Sequence, residues 1–224
     1  SIEIKNLRLL VKSLRPLPSQ WHGLENIETR LRKRYLDILM DSEAHNLFVK
    51  KNIFWQTFRD NLKNSGFLEV ETPVLEAVPG GADAEPFITH HNALDNDFYL
   101  RISLEIALKK MLVAGYEKVF EIGRIFRNEG ISPEHLQDYT QLEFYWAYSE
   151  MNELMKFVEK MYKDAIKKTC GKLETSWQGN KINWSKKWPK IEYAKIFKEK
   201  IGFNFQEASR DELFKKAKDA GLKP

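Results

Sequence analysis

The spacing of apolar residues changes period several times along this chain, and each change marks an element. Ile2 and Ile4 alternate with polar neighbours before an apolar run ending at Val11, which predicts a strand over residues 2–11. Pro16 and Pro18 then read as an extended linker, because proline biases the residue before it away from helix. Residues 29–40 (TRLRKRYLDILM) predict one helix. Within residues 43–64, Leu47, Phe48, Phe54, Trp55, Phe58 and Leu62 recur at helical spacing, predicting a longer helix that stops at Gly66. FLEVETP returns to period two, with Leu68 and Val70 set against Glu69 and Glu71. That strand stops at Pro73, which has no N–H for a ladder.

PGGADAEPF (residues 79–87) reads as a loop. A strand over 98–102 leads to Ser103, placed to cap a helix over 104–114 closed by Gly115. Residues 119–127 and 140–148 predict two strands joined by a loop, and 151–168 an amphipathic helix. After Gly171 come a short hairpin in WQGNKINW and two short helices, the second opened by Ser209-x-x-Glu212. Strands paired in hairpins, rather than regular strand–helix–strand units, place the chain in the α+β class.

Composition narrows the function only a little. Of 224 residues, 42% are hydrophobic and 30% charged, which is globular rather than disordered. The net charge of +4 is too mild to argue nucleic-acid binding, which needs a patch that a sum cannot show. Cys170 is the single cysteine, so no intrachain disulfide and no Cys/His zinc spacing exists, which fits a reducing cytoplasm. SIEIKNLRLL lacks the order of a signal peptide, and no apolar run reaches membrane-span length, so a cytoplasmic protein without a membrane partner is expected.

Three places could carry chemistry. In TQLEFYWAY, Gln141, Glu143, Tyr145 and Ala147 share one strand face, and Leu142, Phe144, Trp146 and Tyr148 the other. Glu143 and Tyr145 could together hold a small cation, although alternation alone favours a solvated sheet face. In VFEIGRIFR, Arg127 ends the strand face of Val119, Glu121, Gly123 and Ile125. Its planar fork suits a carboxylate or phosphate. Glu129 and His135 follow in the loop, and Tyr139 opens the return strand, where it could stack a base; an ordinary polar hairpin end is the competing reading. Glu105 sits in a first helical turn, where the dipole alone favours an acid. No P-loop or GxGxxG is present.

Taken together, these segments resemble a class II lysyl-tRNA synthetase. GFLEVETPVL with Pro73 matches the family's first motif, and FEIGRIFRNEGISPEH followed by YTQLEFYWAY matches its second. PGGADAEPFITHHNALDNDFYLRI, LRPLPSQWHGL and ETRLRKRYLDIL resemble the lysine branch, and the likeness runs over about residues 1–170. The resemblance implies an antiparallel sheet of six or seven strands flanked by helices, incomplete here. It implies that residues 1–11 end an N-terminal anticodon-binding OB barrel and 12–28 form a linker. Residues 29–170 would begin the catalytic domain, and 171–224 the insertion between motifs two and three. Implied roles follow. Arg127 would grip the ATP α-phosphate and the amino-acid carboxylate, with Glu129 and His135 on ATP and Tyr139 stacked on adenine, where most relatives carry Phe. Glu105 and the Gly81 backbone would hold the α-amino group, and Glu143 with Tyr145 the lysine ε-ammonium. Lysine, ATP, tRNA(Lys) and a homodimer through the Pro73 region are the implied partners.

The chain also departs from the family pattern. The glycine-rich third motif and the acidic segment that binds Mg2+ are not in these residues, which implies a piece inactive by itself, with its Mg2+ ligands mainly past residue 224. SPEHLQDYT carries Leu136 and Gln137 where many relatives have Asn and Pro. Two other readings stand beside the ligase. One is a non-catalytic module that binds RNA or protein. The other is a paralogue that lysylates a translation factor, against which the predicted strand over 2–11 counts.

Overall fold

The computed structural model describes residues 3–18 and 24–222. It divides into two units, Ser1–Thr175 and Ser176–Pro224.

The first unit opens without regular structure. No strand forms over residues 3–18, so the one expected over 2–11 is absent from its described part; Ile2 lies outside it, as does the 19–23 portion of the linker. Leu7, Leu9 and Leu10 stand exposed, because a strand needs a partner for its backbone groups and no sheet edge pairs with this segment. The helix expected over 29–40 is two helices, α1 (Ile27–Arg32) and α2 (Arg34–Met40), broken at Lys33 with φ −115° and ψ 49°. No Gly or Pro marks the break. Across it, Arg30 and Arg34 both close on the buried carboxylate of Asp37 at 2.5 Å, and Arg30 reaches Asp41 at 2.7 Å.

Helix α3 (Ser42–Asn64) begins where Asp41 accepts from the Glu43 and Ala44 amides. Its Phe58 and Leu62 are buried, while Leu47 and Phe48, expected on the same face, remain exposed. Helix α5 (Met151–Cys170) lies alongside, stopped by Gly171 in the left-handed region at φ 74°. Asn61 donates to Asp164 across the pair at 2.8 Å, and the Phe58 and Tyr162 rings meet edge to face at 5.1 Å.

Between α3/α5 and helix α4 (Glu105–Val113) runs a three-stranded sheet. Its strands are β1 (Leu68–Glu69), β5 (Lys118–Phe126) and β6 (Asp138–Trp146), in the order β1-β5-β6. β5 and β6 are antiparallel with Glu121 opposite Glu143, as the hairpin reading predicts. One face packs Phe120, Leu142, Phe144 and Trp146 against α3 and α5. The other packs Val119, Ile125, Tyr139 and Tyr145 against Leu104 and Leu108. A second antiparallel sheet, β2 (Leu75–Glu76), β3 (Ile88–His91) and β4 (Asn96–Leu100), has the order β2-β4-β3.

Three details differ from expectation. β1 pairs parallel with β5, and only two of its expected residues are ladder. By Thr72 the amide has turned to the Glu121 carboxylate, at 3.1 Å, in place of a neighbouring backbone. β6 ends at Trp146; Tyr148 adopts φ 61° and is 94% exposed, so it does not continue the core face. β2 and β3 were missed, being two and four residues long.

The hairpin expected in WQGNKINW is formed by β7 (Glu174–Trp177) and β8 (Asn180–Asn183), with positive φ at Gln178 and Gly179. In the second unit, helices α6 (Tyr193–Ile201) and α7 (Arg210–Asp219) follow, and rings of Tyr193, Phe197, Phe203 and Phe205 pack together. The Ser209–Glu212 capping box is complete.

Candidate functional site

The tripeptide Arg101-Ile102-Ser103, between β4 and α4, organises the site. The Arg101 amide donates to Val74 O at 2.9 Å, and its carbonyl accepts from the Phe126 amide at 3.1 Å. Its buried guanidinium meets the buried Glu121 carboxylate at 2.6 Å and donates to Arg124 O at 2.9 Å and Thr72 O at 3.0 Å. Thr72 closes the ring through its hydroxyl to Glu121, at 2.6 Å. A Cβ at position 123 would collide with that guanidinium, so glycine there is a packing requirement. Ile102 O accepts from Arg127 Nε at 3.3 Å, and Ser103 Oγ donates to Glu143 Oε1 at 3.0 Å. Three consecutive residues thus fix three separate parts of one sheet face.

Glu143 and Tyr145 share that face of β6, as alternation predicts. Glu143 Oε1 accepts from Ser103 Oγ, from the Leu104 amide at 3.1 Å and from Gln141 Nε2. Oε2 has one long contact, from the Tyr145 hydroxyl at 3.4 Å. One oxygen is anchored and the other is left to a further donor. Burial, then the charges of Glu143 and Glu105, push the Tyr145 phenol well above its ordinary range, so it stays protonated. Glu105 is therefore within electrostatic reach of the same face, although its Oε1 holds Lys109 at 2.6 Å. Gly81, at φ 85°, backs onto the start of α4. A Cβ there would stand 2.9 Å from Glu105 Cβ and 3.0 Å from Ser103 Oγ. Gly81, Glu105, Glu143 and Tyr145 are thereby brought together.

Arg127 is half-buried at the end of β5, its guanidinium 5.7 Å from the centre of the Tyr139 ring. Tyr139 donates to Gln141 Oε1 at 2.9 Å, and Gln141 donates to Glu143, so one chain of hydrogen bonds links the arginine end of the face to the carboxylate end. The Asn128 amide donates to Glu85 O at 2.8 Å, which ties the 79–87 loop to the strand tip. Glu129 and His135 are not gathered in. Both are exposed, and among the described residues His135 bonds within its own loop, to Ser132 at 2.8 Å. Pro73 lies apart from this face, beside a cavity of about 540 Å³ lined also by Thr72, Glu76, Ile106 and Lys110. Among the described residues Glu76 Oε2 has no hydrogen-bond partner, and burial raises its pKa. Sequence reasoning missed Arg101, Glu121 and Thr72. The available signal was one arginine and one glutamate, each set inside an apolar strand (YLRI and VFEI), where an unpaired charge is costly.

Comparisons with known proteins identify the family. A family model described as tRNA synthetases class II (D, K and N) matches residues 26–219. The chain belongs to this family. Among curated relatives, the lysine–tRNA ligase of Moorella thermoacetica is 45% identical over 207 residues, covering 92% of this chain and 42% of its own length. That of Prochlorococcus marinus is 45% identical, covering 98% and 43%. That of Thermotoga maritima is 41% identical, covering 99% and 44%. The chain spans less than half the length of these relatives. All residues gathered on this sheet face lie inside the matched region.

No group of three or more His, Cys, Asp or Glu side chains converges among the described residues.

Proposed function

We propose that the protein is a lysine–tRNA ligase and that the face shared by β5, β6 and the start of α4 is the amino-acid half of its active site. Lysine's carboxylate attacks the α-phosphorus of ATP and pyrophosphate leaves; the lysyl group then passes from the adenylate to tRNA(Lys) as AMP leaves. The half-anchored Glu143 carboxylate, with the protonated Tyr145 beside it, carries this reading. Within a family that serves aspartate, lysine and asparagine, such a pocket matches the ammonium. An aspartate carboxylate would meet like charge from Glu143 and Glu105. Leucine or methionine would leave Glu143 unpaired, which permits discrimination of about 10⁴ without editing.

Arg127 donates to the α-phosphate and the reacting carboxylate, holding both in line and meeting charge as it develops. Tyr139 stacks on adenine, with Glu129 and His135 closing onto ATP from the loop. Glu105 and the Gly81 backbone take the α-ammonium. Residues 29–170 are read as the first part of the catalytic domain and 171–224 as the start of an insertion. A division of the chain near Thr175 supports that boundary. A homodimer forms over the Pro73 edge, where the unpartnered Glu76 oxygen and exposed Leu75 and Val78 support a protein contact. The setting is the cytoplasm; among the described residues no helix is long and apolar enough to cross a membrane.

The test is amino-acid-dependent exchange of labelled pyrophosphate into ATP by the protein as its gene encodes it. Lysine should support exchange, and aspartate and asparagine should not. Exchange driven by either of those two and not by lysine would overturn the reading.

A further inference from the structure

On one face of β6 the side chains of Tyr139, Gln141, Glu143 and Tyr145 form an unbroken hydrogen-bonded row. Tyr139, Glu143 and Tyr145 carry proposed contacts to ligands, and Gln141 between them carries none. The direction of the row follows from its chemistry. A carboxylate only accepts, so Gln141 turns its NH2 toward Glu143, and Nε2 donates to Oε1. The Gln141 oxygen then faces Tyr139, whose hydroxyl donates to it at 2.9 Å. A ring needed only for stacking has no use for that hydroxyl. Glu143 Oε1 is thereby held from two elements. Gln141 holds it from its own strand; Ser103 Oγ and the Leu104 amide hold it from the start of α4, at 3.0 and 3.1 Å. Each carboxylate oxygen offers about two lone-pair sites, so Oε1 has no room for a further donor. Oε2, with its one long contact from Tyr145 at 3.4 Å, is open to one. Without Gln141 the carboxylate is held from the helix side alone and can swing.

We propose that Gln141, oriented by Tyr139, is a positioning residue that sets amino-acid specificity. It fixes where Glu143 Oε2 stands, and therefore how long an ammonium-bearing side chain must be to reach it. An ammonium one methylene shorter falls short of a pinned carboxylate and reaches one that can swing. The identity of the preferred side chain as lysine rests on the proposed ligase activity. The row itself, and the pinning of one oxygen from strand and helix together, do not.

The test compares lysine with ornithine in pyrophosphate exchange by the protein as its gene encodes it. Gln141→Met keeps the length of the side chain and removes both hydrogen bonds. Lysine KM should rise by about tenfold, the scale of one hydrogen bond to a charged group, and ATP KM by less than about twofold. The preference in kcat/KM for lysine over ornithine should fall by about tenfold. Tyr139→Phe keeps the ring and deletes the hydroxyl. Alone it should raise lysine KM by about threefold; beside Gln141→Met it should add nothing, because both changes cut the same row. A merely structural role predicts equal rises for lysine and ATP and an unchanged preference over ornithine. Either result would overturn the proposal, as would additive effects of the two substitutions. If circular dichroism shows Gln141→Met unfolded, Tyr139→Phe decides alone, by the same split between lysine and ATP and the same preference. Lysine-dependent exchange in the parent with both variants unchanged refutes the positioning role and leaves the ligase reading standing. A parent that uses aspartate or asparagine in place of lysine refutes both.

Discussion

The Arg101–Glu121 pair is the sharpest place to test whether the site is held as described. Both side chains are about 4% exposed, and they meet at 2.6 Å. Glu121→Gln removes the anion and leaves a buried guanidinium hydrogen-bonded to neutral acceptors alone: Thr72 O, Thr72 Oγ1, Arg124 O and the new amide oxygen. Arg101→Met leaves a buried carboxylate held by the Thr72 amide and hydroxyl alone. Breaking one side of a buried pair costs about 3–5 kcal/mol, a large share of the roughly 5–15 kcal/mol available to a folded domain. Replacing both partners, as in Arg101→Met with Glu121→Leu, removes the stranded charge. It should recover most of that loss, giving a coupling of about 3 kcal/mol or more. Urea unfolding followed by circular dichroism, with the transitions of the two units fitted separately, measures all four corners of the cycle. Single variants within about 1 kcal/mol of the parent would refute the reasoning. A double variant as unstable as the sum of the singles would refute it too.

The remaining expectations are more local. Tyr145 should titrate above the other tyrosines in ultraviolet difference spectra, and Tyr145→Phe should remove that late step. Because its folded pKa is raised, its stabilising contribution is complete below the ordinary phenol value of about 10 and is lost as pH climbs from there. Gly81→Ala, at φ 85° and against Glu105 and Ser103, should cost about 1–3 kcal/mol in urea unfolding; a neutral result would mean the loop does not back onto α4. Leu62→Ala, in the fully buried core between α3 and the sheet, should cost about 2–5 kcal/mol by the same measurement.

What the sequence showed in advance follows from which forces are local. Period-two alternation placed Leu142, Phe144 and Trp146 on one side of β6 and Glu143 and Tyr145 on the other, because side-chain direction in a strand is fixed by the backbone. The Ser209–Glu212 cap was legible for the same reason, being a contact over three residues. The Lys33 break, the parallel pairing of β1 and the Arg101–Glu121 ring were not legible. The β1 pairing and the ring are decided by contacts between distant residues, 51 apart for Leu68 and Val119 and 49 for Thr72 and Glu121, and the Lys33 break by the Arg30–Asp37 and Arg30–Asp41 ion pairs; none carries a periodic signature. Residues 3–11 show the converse failure. Alternation there is real, but a strand exists only where another backbone accepts its ladder. The roles proposed for Arg127, Glu105 and Gly81 came from family resemblance, since their local sequence fits a plain hairpin end and a dipole-favoured acid equally well.

The central claim is that Glu143 reads the ammonium of lysine, and Glu143→Gln tests it most directly. The substitution keeps the size of the side chain and an oxygen for Ser103 and Leu104, and removes the charge. In the protein as its gene encodes it, lysine-dependent pyrophosphate exchange should fall by about a thousandfold or more, the loss of a buried ion pair at the specificity group. Exchange undiminished in that variant would contradict the account.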